Sequence, residues 1–235
     1  MQVEALTNVG LVRKDNEDSY LVSVSRGLFI VADGMGGHLA GQVASGIAIQ
    51  VFEQEFKYEV LEDPILKLRD TLLKANLTIL NEGQIHQEYA GMGTTVTAAY
   101  IKGNFLYLAH IGDSRAYLFR NNLLQQLTQD HSLVNELFQN GSISREEMLN
   151  HPQKNILTRA AGTQQAPQID DFSHALQPGD VLLLCTDGLH GHVKENDIEL
   201  ILSENISLGA KLNKMIELAL ERGGTDNITA ILVNY

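Results

Sequence analysis

The chain of 235 residues holds one cysteine, Cys185, so no internal disulfide can form. A reducing, cytoplasmic setting is the expectation for such a chain. No apolar run approaches the roughly 20 residues that cross a bilayer. Residues 1–10 show no basic stretch followed by an apolar one, so no secretory leader is expected. Cations are also short: Lys and Arg number 17 against 29 Asp and Glu, a formal charge of -12. Such a surface repels phosphate-rich partners, and neither nucleic acid nor a membrane is expected to bind. The 4 prolines are scattered, and there is no low-complexity tract, linker or repeat. One domain over 1–235, acting as a monomer, is therefore the expectation. What is present is an ordinary soluble-enzyme composition, 44% hydrophobic and 20% charged, in a chain long enough to bury a full core. An acidic protein that handles an anionic substrate needs local positive charge, and carboxylates gathered round a metal can supply it.

The apolar pattern predicts strands over 3–9 and 19–32, the latter ending in the unbroken run 28–32 of a buried strand. Helices are predicted over 40–58, where Ala44, Ile47, Ala48, Val51 and Phe52 share a face, and over 62–86, where Ile65, Leu68, Leu72, Ala75 and Ile79 do. From 94 to 128, short β-rich runs (95–101, 105–111, 116–119, 123–127) alternate with Gly- and Asn-bearing turns, the signature of consecutive hairpins. Two short helical pieces flank Asn140-Gly141 within 132–152. Strands return at 168–175 and 180–186, helices at 194–203 and 208–222, and a strand at 228–233, with Gly223 as a helix stop. Paired helices and hairpins, rather than alternating βαβ units, imply an α+β fold in which two antiparallel sheets pack together with helix pairs outside.

Four acidic positions share one layout. Asp33, Asp113, Asp187 and Asp226 each stand at the start or end of a predicted strand, beside a glycine, serine or asparagine. Any one of them reads as a turn. Four strand ends that converge on one sheet edge would repel one another unless protonated or neutralised by a cation. Oxygen ligands select hard cations such as Mg²⁺ or Mn²⁺, and no His/Cys set has zinc spacing. Arg13, ahead of Asn16-Glu17-Asp18, reads either as a structural salt bridge or as a bidentate donor to a phosphate anion.

Eight segments occur in order: Arg13-Lys14-Asp15-Asn16-Glu17-Asp18, Val31-Ala32-Asp33-Gly34-Met35-Gly36-Gly37-His38, Gly93-Thr94-Thr95, Ile111-Gly112-Asp113-Ser114-Arg115-Ala116, Asp130-His131-Ser132, Leu157-Thr158-Arg159-Ala160, Cys185-Thr186-Asp187-Gly188-Leu189, and Gly224-Thr225-Asp226-Asn227-Ile228-Thr229. Together they resemble the PP2C-type metal-dependent protein phosphatases in their compact bacterial form, over essentially the whole chain. The resemblance implies an αββα sandwich with two Mn²⁺ or Mg²⁺ ions at one end of the sheets. It implies that Asp33 bridges both ions, that the Gly34 carbonyl binds the first, and that Asp187 and Asp226 hold the second. Asp113 with Asp187 would form a weaker third site, Glu17 and Asp18 would orient water around the ions, and Arg13 would hold the substrate phosphate. Residues 132–155 would form a flap beside the site. The implied reaction is hydrolysis of phosphoserine and phosphothreonine in proteins by water activated between the cations, opposing a bacterial Ser/Thr protein kinase.

One position departs from the family pattern. Many eukaryotic members carry histidine directly after the Asp-Gly pair as a proposed general acid; here Met35 stands there. His38 is the nearby candidate, with a structural role in the glycine loop as its alternative. His110, His131, His151 and His190 are expected to be structural, and Cys185 a core residue. Two rival functions remain. Gly112-Asp113-Ser114 with Asp187-Gly188-Leu189-His190 resembles the blocks of a GDS-type esterase, but Ser114 leads into a strand, not the helix that exposes such a nucleophile. A non-catalytic phosphoprotein-binding module on the same fold would be expected to lack the metal aspartates. A nucleotide loop at 34–37 lacks the Gly-Lys-Ser/Thr that would complete it.

Overall fold

The computed structural model describes residues 1–37, 39–58 and 63–235. Its strands are β1 (Gln2–Asn8), β2 (Asp18–Ser23), β3 (Leu28–Met35), β4 (Gly93–Thr94), β5 (Val96–Lys102), β6 (Phe105–Ile111), β7 (Arg115–Arg120), β8 (Leu123–Gln126), β9 (Asp170–Ala175), β10 (Val181–Cys185) and β11 (Ile228–Asn234). Its helices are α1 (Ala40–Glu55), α2 (Pro64–Ile85), α3 (Leu133–Gln139), α4 (Arg145–Asn150), α5 (Asp187–His190), α6 (Glu195–Ser203) and α7 (Leu208–Glu221), with a 3₁₀ turn at Gln87–Tyr89. The predicted strands and long helices are all present, with ends within a few residues of the sequence reading. The two-residue β4 and the one-turn α5 were not foreseen, being too short to carry a periodic signal.

The strands form two antiparallel sheets. One has the order β1-β11-β10-β7-β8; the other runs β2-β3-β5-β6-β9, with β4 paired to the end of β3. Side chains on a strand alternate between faces, and here both faces of each sheet are covered. Phe29, Val31, Leu106 and Leu108 from one sheet meet Leu118, Leu182, Leu184 and Ile231 from the other, forming the layer between sheets. Leu28, Ile30, Ala98 and Ala109 point the other way, against Ala44, Ala48 and Phe52 of α1 and Leu68, Leu72 and Ala75 of α2. On the far side, Leu183, Cys185, Ala230 and Leu232 pack under Ile198, Leu212, Met215 and Ala219 of α6 and α7. Double-sided burial is why 28–32 and 181–185 are unbroken apolar runs, since neither face of those strands can afford a polar side chain. The result is the four-layer αββα arrangement expected from the sequence.

Local chemistry sets the helix starts. Asp63 caps α2 by accepting the N–H of Ile65, with Pro64 pre-set at the first helical position. Ser144 and Glu147 form a reciprocal capping box on α4. Among the described residues no helix is long and apolar enough to cross a membrane.

Candidate active site

Antiparallel adjacency brings the four aspartates together. β10 and β11 are neighbours, with Cys185 opposite Ala230, so the acidic residue two places beyond the end of β10 is brought close to the one two places before the start of β11. These are Asp187, which opens α5, and Asp226. In the other sheet, Asp18 at the start of β2 pairs with Asp33 near the end of β3, while Asp113 sits in the turn joining β6 to β7. Asp33, Gly34, Asp113, Asp187, Asp226, Glu17 and Arg13 all line one open pocket of about 420 Å³. His38 lies outside the described residues.

Backbone bonds fix these positions. The Asp33 N–H donates to Thr95 Oγ1 at 2.9 Å, and its carbonyl accepts from the Thr94 hydroxyl at 2.8 Å and the Thr95 N–H at 2.9 Å. The Gly34 position has no room for a side chain, because an added Cβ would lie 2.1 Å from the Gly41 carbonyl oxygen. The reverse holds at Gly41, where a Cβ would lie 2.0 Å from Glu17 Oε2 and 2.8 Å from the Gly34 oxygen. The N-terminal loop that carries Arg13 and Glu17 is stapled by Asn227: its Oδ1 accepts from the Glu17 N–H at 2.8 Å, and its amide donates to the carbonyls of Val9 and Asp15 at 2.9 and 3.0 Å. The role of Asn227 has no local sequence signal, because its partners lie more than 200 residues away.

The electrostatics are those of crowded carboxylates. Burial, then repulsion from Asp18, Asp187, Asp113 and Asp226, holds the Asp33 carboxyl well above its usual range. Burial and neighbouring aspartates push Asp113 up to about 8 and Asp18 up to about 7. Asp187 is also raised, by burial and then by Asp226. Burial raises Glu17 as well. Two buried oxygens, Asp18 Oδ1 and Asp187 Oδ1, have no hydrogen-bond partner. Oxygen-only donors, unpartnered buried carboxylate oxygens and mutual repulsion are the conditions a hard divalent cation relieves. Among the described residues, no group of three or more His, Cys, Asp or Glu side chains is already arranged around a single ion position. A cation here would be held by few carboxylates at a time and completed by a backbone carbonyl and water, the habit of Mg²⁺, which dehydrates reluctantly. The residues fit the expected ions on those terms.

Arg13 reaches Asp226 Oδ2 at 2.8 Å while remaining half exposed at the pocket mouth. Both meanings considered for it are thus compatible with its place, one contact being the salt bridge and the free edge facing the pocket. The esterase reading does not survive. Ser114 is fully buried, shares a 2.7 Å hydrogen bond with Thr95 Oγ1 and does not line the pocket. His190 bonds the Asp113 carbonyl at 3.0 Å and is pushed down to about 3 by burial, so it is a neutral structural group. His110 is likewise buried and lowered to about 4.

The protein phosphatase 2C family model matches residues 9–232. The serine/threonine phosphatase Stp of Listeria monocytogenes is 41% identical over 99% of this chain and 95% of its own length. The solved Mycobacterium tuberculosis serine/threonine phosphatase PstP/Ppp superposes with a TM-score of 0.91 at 38% identity, covering 98% of this chain and 97% of that one. A structure of the PstP catalytic domain in complex with 2 manganese ions gives a TM-score of 0.89 at 36% identity, over 98% of this chain and 96% of that one.

Proposed function

The chain belongs to the protein phosphatase 2C family and is a metal-dependent serine/threonine protein phosphatase using Mn²⁺ or Mg²⁺, and on that premise we propose roles for its individual residues. The observation that carries the reading is the convergence of Asp33, Asp113, Asp187 and Asp226 with the Gly34 backbone on one pocket, where burial and neighbouring carboxylates raise the proton affinity of Asp33, Asp113 and Asp187. Asp33 and the Gly34 carbonyl would hold one ion, Asp33 with Asp187 and Asp226 the other, and Asp113 with Asp187 a weaker third. When bound, the ions supply an activated water and neutralise charge on phosphate. Glu17, which lines the pocket, and Asp18, buried opposite Asp33, would orient water around the ions. Arg13, at the pocket mouth beside Asp226, would hold the phosphate, its planar fork matching two phosphate oxygens. The segment 132–155 would act as a flap beside the pocket, which its Asn155 lines; its root is closed by the Ser132–Leu157 bridge and by the Leu133 N–H on the Ile156 carbonyl at 2.8 Å.

The open pocket suits a side chain presented by another protein rather than an engulfed small molecule. We place the enzyme in signalling, removing phosphate installed by a Ser/Thr protein kinase, as a cytoplasmic monomer. A non-catalytic binding role is disfavoured because every expected metal carboxylate is present and in the pocket. The test is a Mn²⁺ titration of phosphopeptide hydrolysis by the wild-type chain and by Asp33→Ala. Activity on phosphothreonine and phosphoserine peptides that requires the metal and is lost in the folded variant is the expected result. Equal turnover in excess EDTA, or an active Asp33→Ala, would sink the assignment.

A further inference from the structure

We propose that His131 is a positioning residue that locks the Gly112-Asp113 turn to the root of the 132–157 segment, so that the geometry of the weaker cation position depends on that link. The proposal rests on the reading of Asp113 as a cation ligand.

Gly112 is held by His131 on both of its backbone polar groups. The His131 N–H donates to the Gly112 carbonyl at 2.8 Å, and the Gly112 N–H donates to His131 Nδ1 at 3.1 Å. Gly112 itself has φ of +108° and a Cβ there would lie 2.5 Å from Thr95, so the turn cannot be held by a side chain of its own. The acceptor role of Nδ1 dictates the tautomer: the proton must be on Nε2. That Nε2–H faces Asp170 Oδ2 at 3.1 Å, and Arg159 Nη1 binds the other oxygen of Asp170 at 3.2 Å. Arg159 also stands 3.3 Å from Nε2; with both groups donors, it is Asp170 that joins them. The ring packs on His110, with centroids 4.8 Å apart, and His110 continues to Thr97, whose hydroxyl donates to the Ser114 carbonyl. The turn is therefore gripped before and after Asp113.

The other side of His131 faces the segment. Its carbonyl accepts the Thr158 N–H at 2.9 Å, and the next residue, Ser132, bridges to Leu157. Leu157, Thr158 and Arg159 line the pocket together with Asp113. One residue, by its ring and its backbone together, thus joins the Asp113 turn to both sides of the segment's root. Partners that orient metal ligands typically change metal affinity 10–100-fold when lost.

The full chain is tested with two variants. His131→Asn places an amide oxygen near the Nδ1 position and keeps the acceptor for Gly112; His131→Gln places its amide near Nε2, keeping the Asp170 contact but losing the Gly112 one. ¹⁵N NMR of the metal-free wild type should show the Nε2–H tautomer at His131. Hydrogen exchange at the Gly112 amide should speed up about tenfold in His131→Gln and stay near wild type in His131→Asn. Calorimetric Mn²⁺ titration should show the weaker ion losing about tenfold in affinity in His131→Gln, with less than about threefold lost in His131→Asn. An Nδ1–H tautomer or an imidazolium in the wild type, or the same Gly112 exchange in all three proteins, overturns the clamp, and the tautomer decides even if neither variant folds. Asp113→Ala serves as the control. If the weaker ion binds it unchanged, the ligand reading of Asp113 falls, and Gly112 exchange still judges the clamp by itself.

Discussion

Neutralising Asp18 should make the metal-free enzyme more stable while damaging its work. Asp18 is buried, accepts the Thr186 hydroxyl at 2.9 Å on Oδ2, and has an Oδ1 with no partner. Burial is the main reason its carboxyl is raised from 3.8 to about 7. A group whose folded value lies above its unfolded one contributes stability that is complete below pH 4 and is lost as pH rises through 7, because the folded chain binds the proton more tightly. At 1.36 kcal/mol per pH unit, that rise makes the ionised carboxylate cost the fold about 4 kcal/mol at pH 8. Asp18→Asn removes the charge and keeps the Thr186 acceptor, but it buries an amide N–H in the place of Oδ1, at a cost of about 1–3 kcal/mol. The net gain at pH 8 is about 2 kcal/mol, or roughly 4–8 °C in Tm for a chain of this size. Thermal melts in EDTA at pH 5 and pH 8 measure it. The gain should appear at pH 8 and shrink or reverse at pH 5, with Mn²⁺-dependent turnover reduced. A variant that melts below wild type at pH 8, or a difference indifferent to pH, refutes the reasoning.

Arg13→Ala should raise the KM for phosphosubstrates more than it lowers kcat, and because the Asp226 ion pair is half exposed it should change stability by less than about 1 kcal/mol; an unchanged KM removes Arg13 from phosphate binding. Gly41→Ala should weaken Mn²⁺ binding, read by calorimetry, because its methyl would press on Glu17 Oε2 and the Gly34 carbonyl; wild-type affinity would show that α1 can retreat freely. Cys185 is fully buried and its thiol is pushed up to about 12 by burial, so the native enzyme should resist thiol reagents at pH 8 and keep its activity; rapid labelling without unfolding would contradict that.

The parts of the fold that were legible in the sequence are those whose environment is uniform along the chain. The runs 28–32 and 181–185 could be read as buried strands because helices cover one face and the opposing sheet covers the other. The four aspartates were legible as strand-end residues. Their meeting depended on β10 and β11 being neighbours and on Asp18 falling opposite Asp33, facts of register that no single segment contains. The same limit explains what was missed. Asn227, Thr94, Thr95 and His131 act through partners on other strands and loops, and in isolation each is an ordinary turn or strand residue. His131 was read as merely structural for that reason, although its contacts are with the backbone that carries Asp113.

The place of β11 has a consequence for biosynthesis. It is formed from residues 228–234 yet lies inside its sheet, flanked by β1 and β10, and Asp226 and Asn227 immediately precede it. A nascent polypeptide that has already folded α1 and α2 onto the sheet holding β3, β5 and β6 still lacks a carboxylate and the staple that seats the Arg13 loop. This strand must leave the ribosome and enter the gap between two others before the pocket is whole, so the site assembles in one step when residues 226–234 emerge and not by degrees before it.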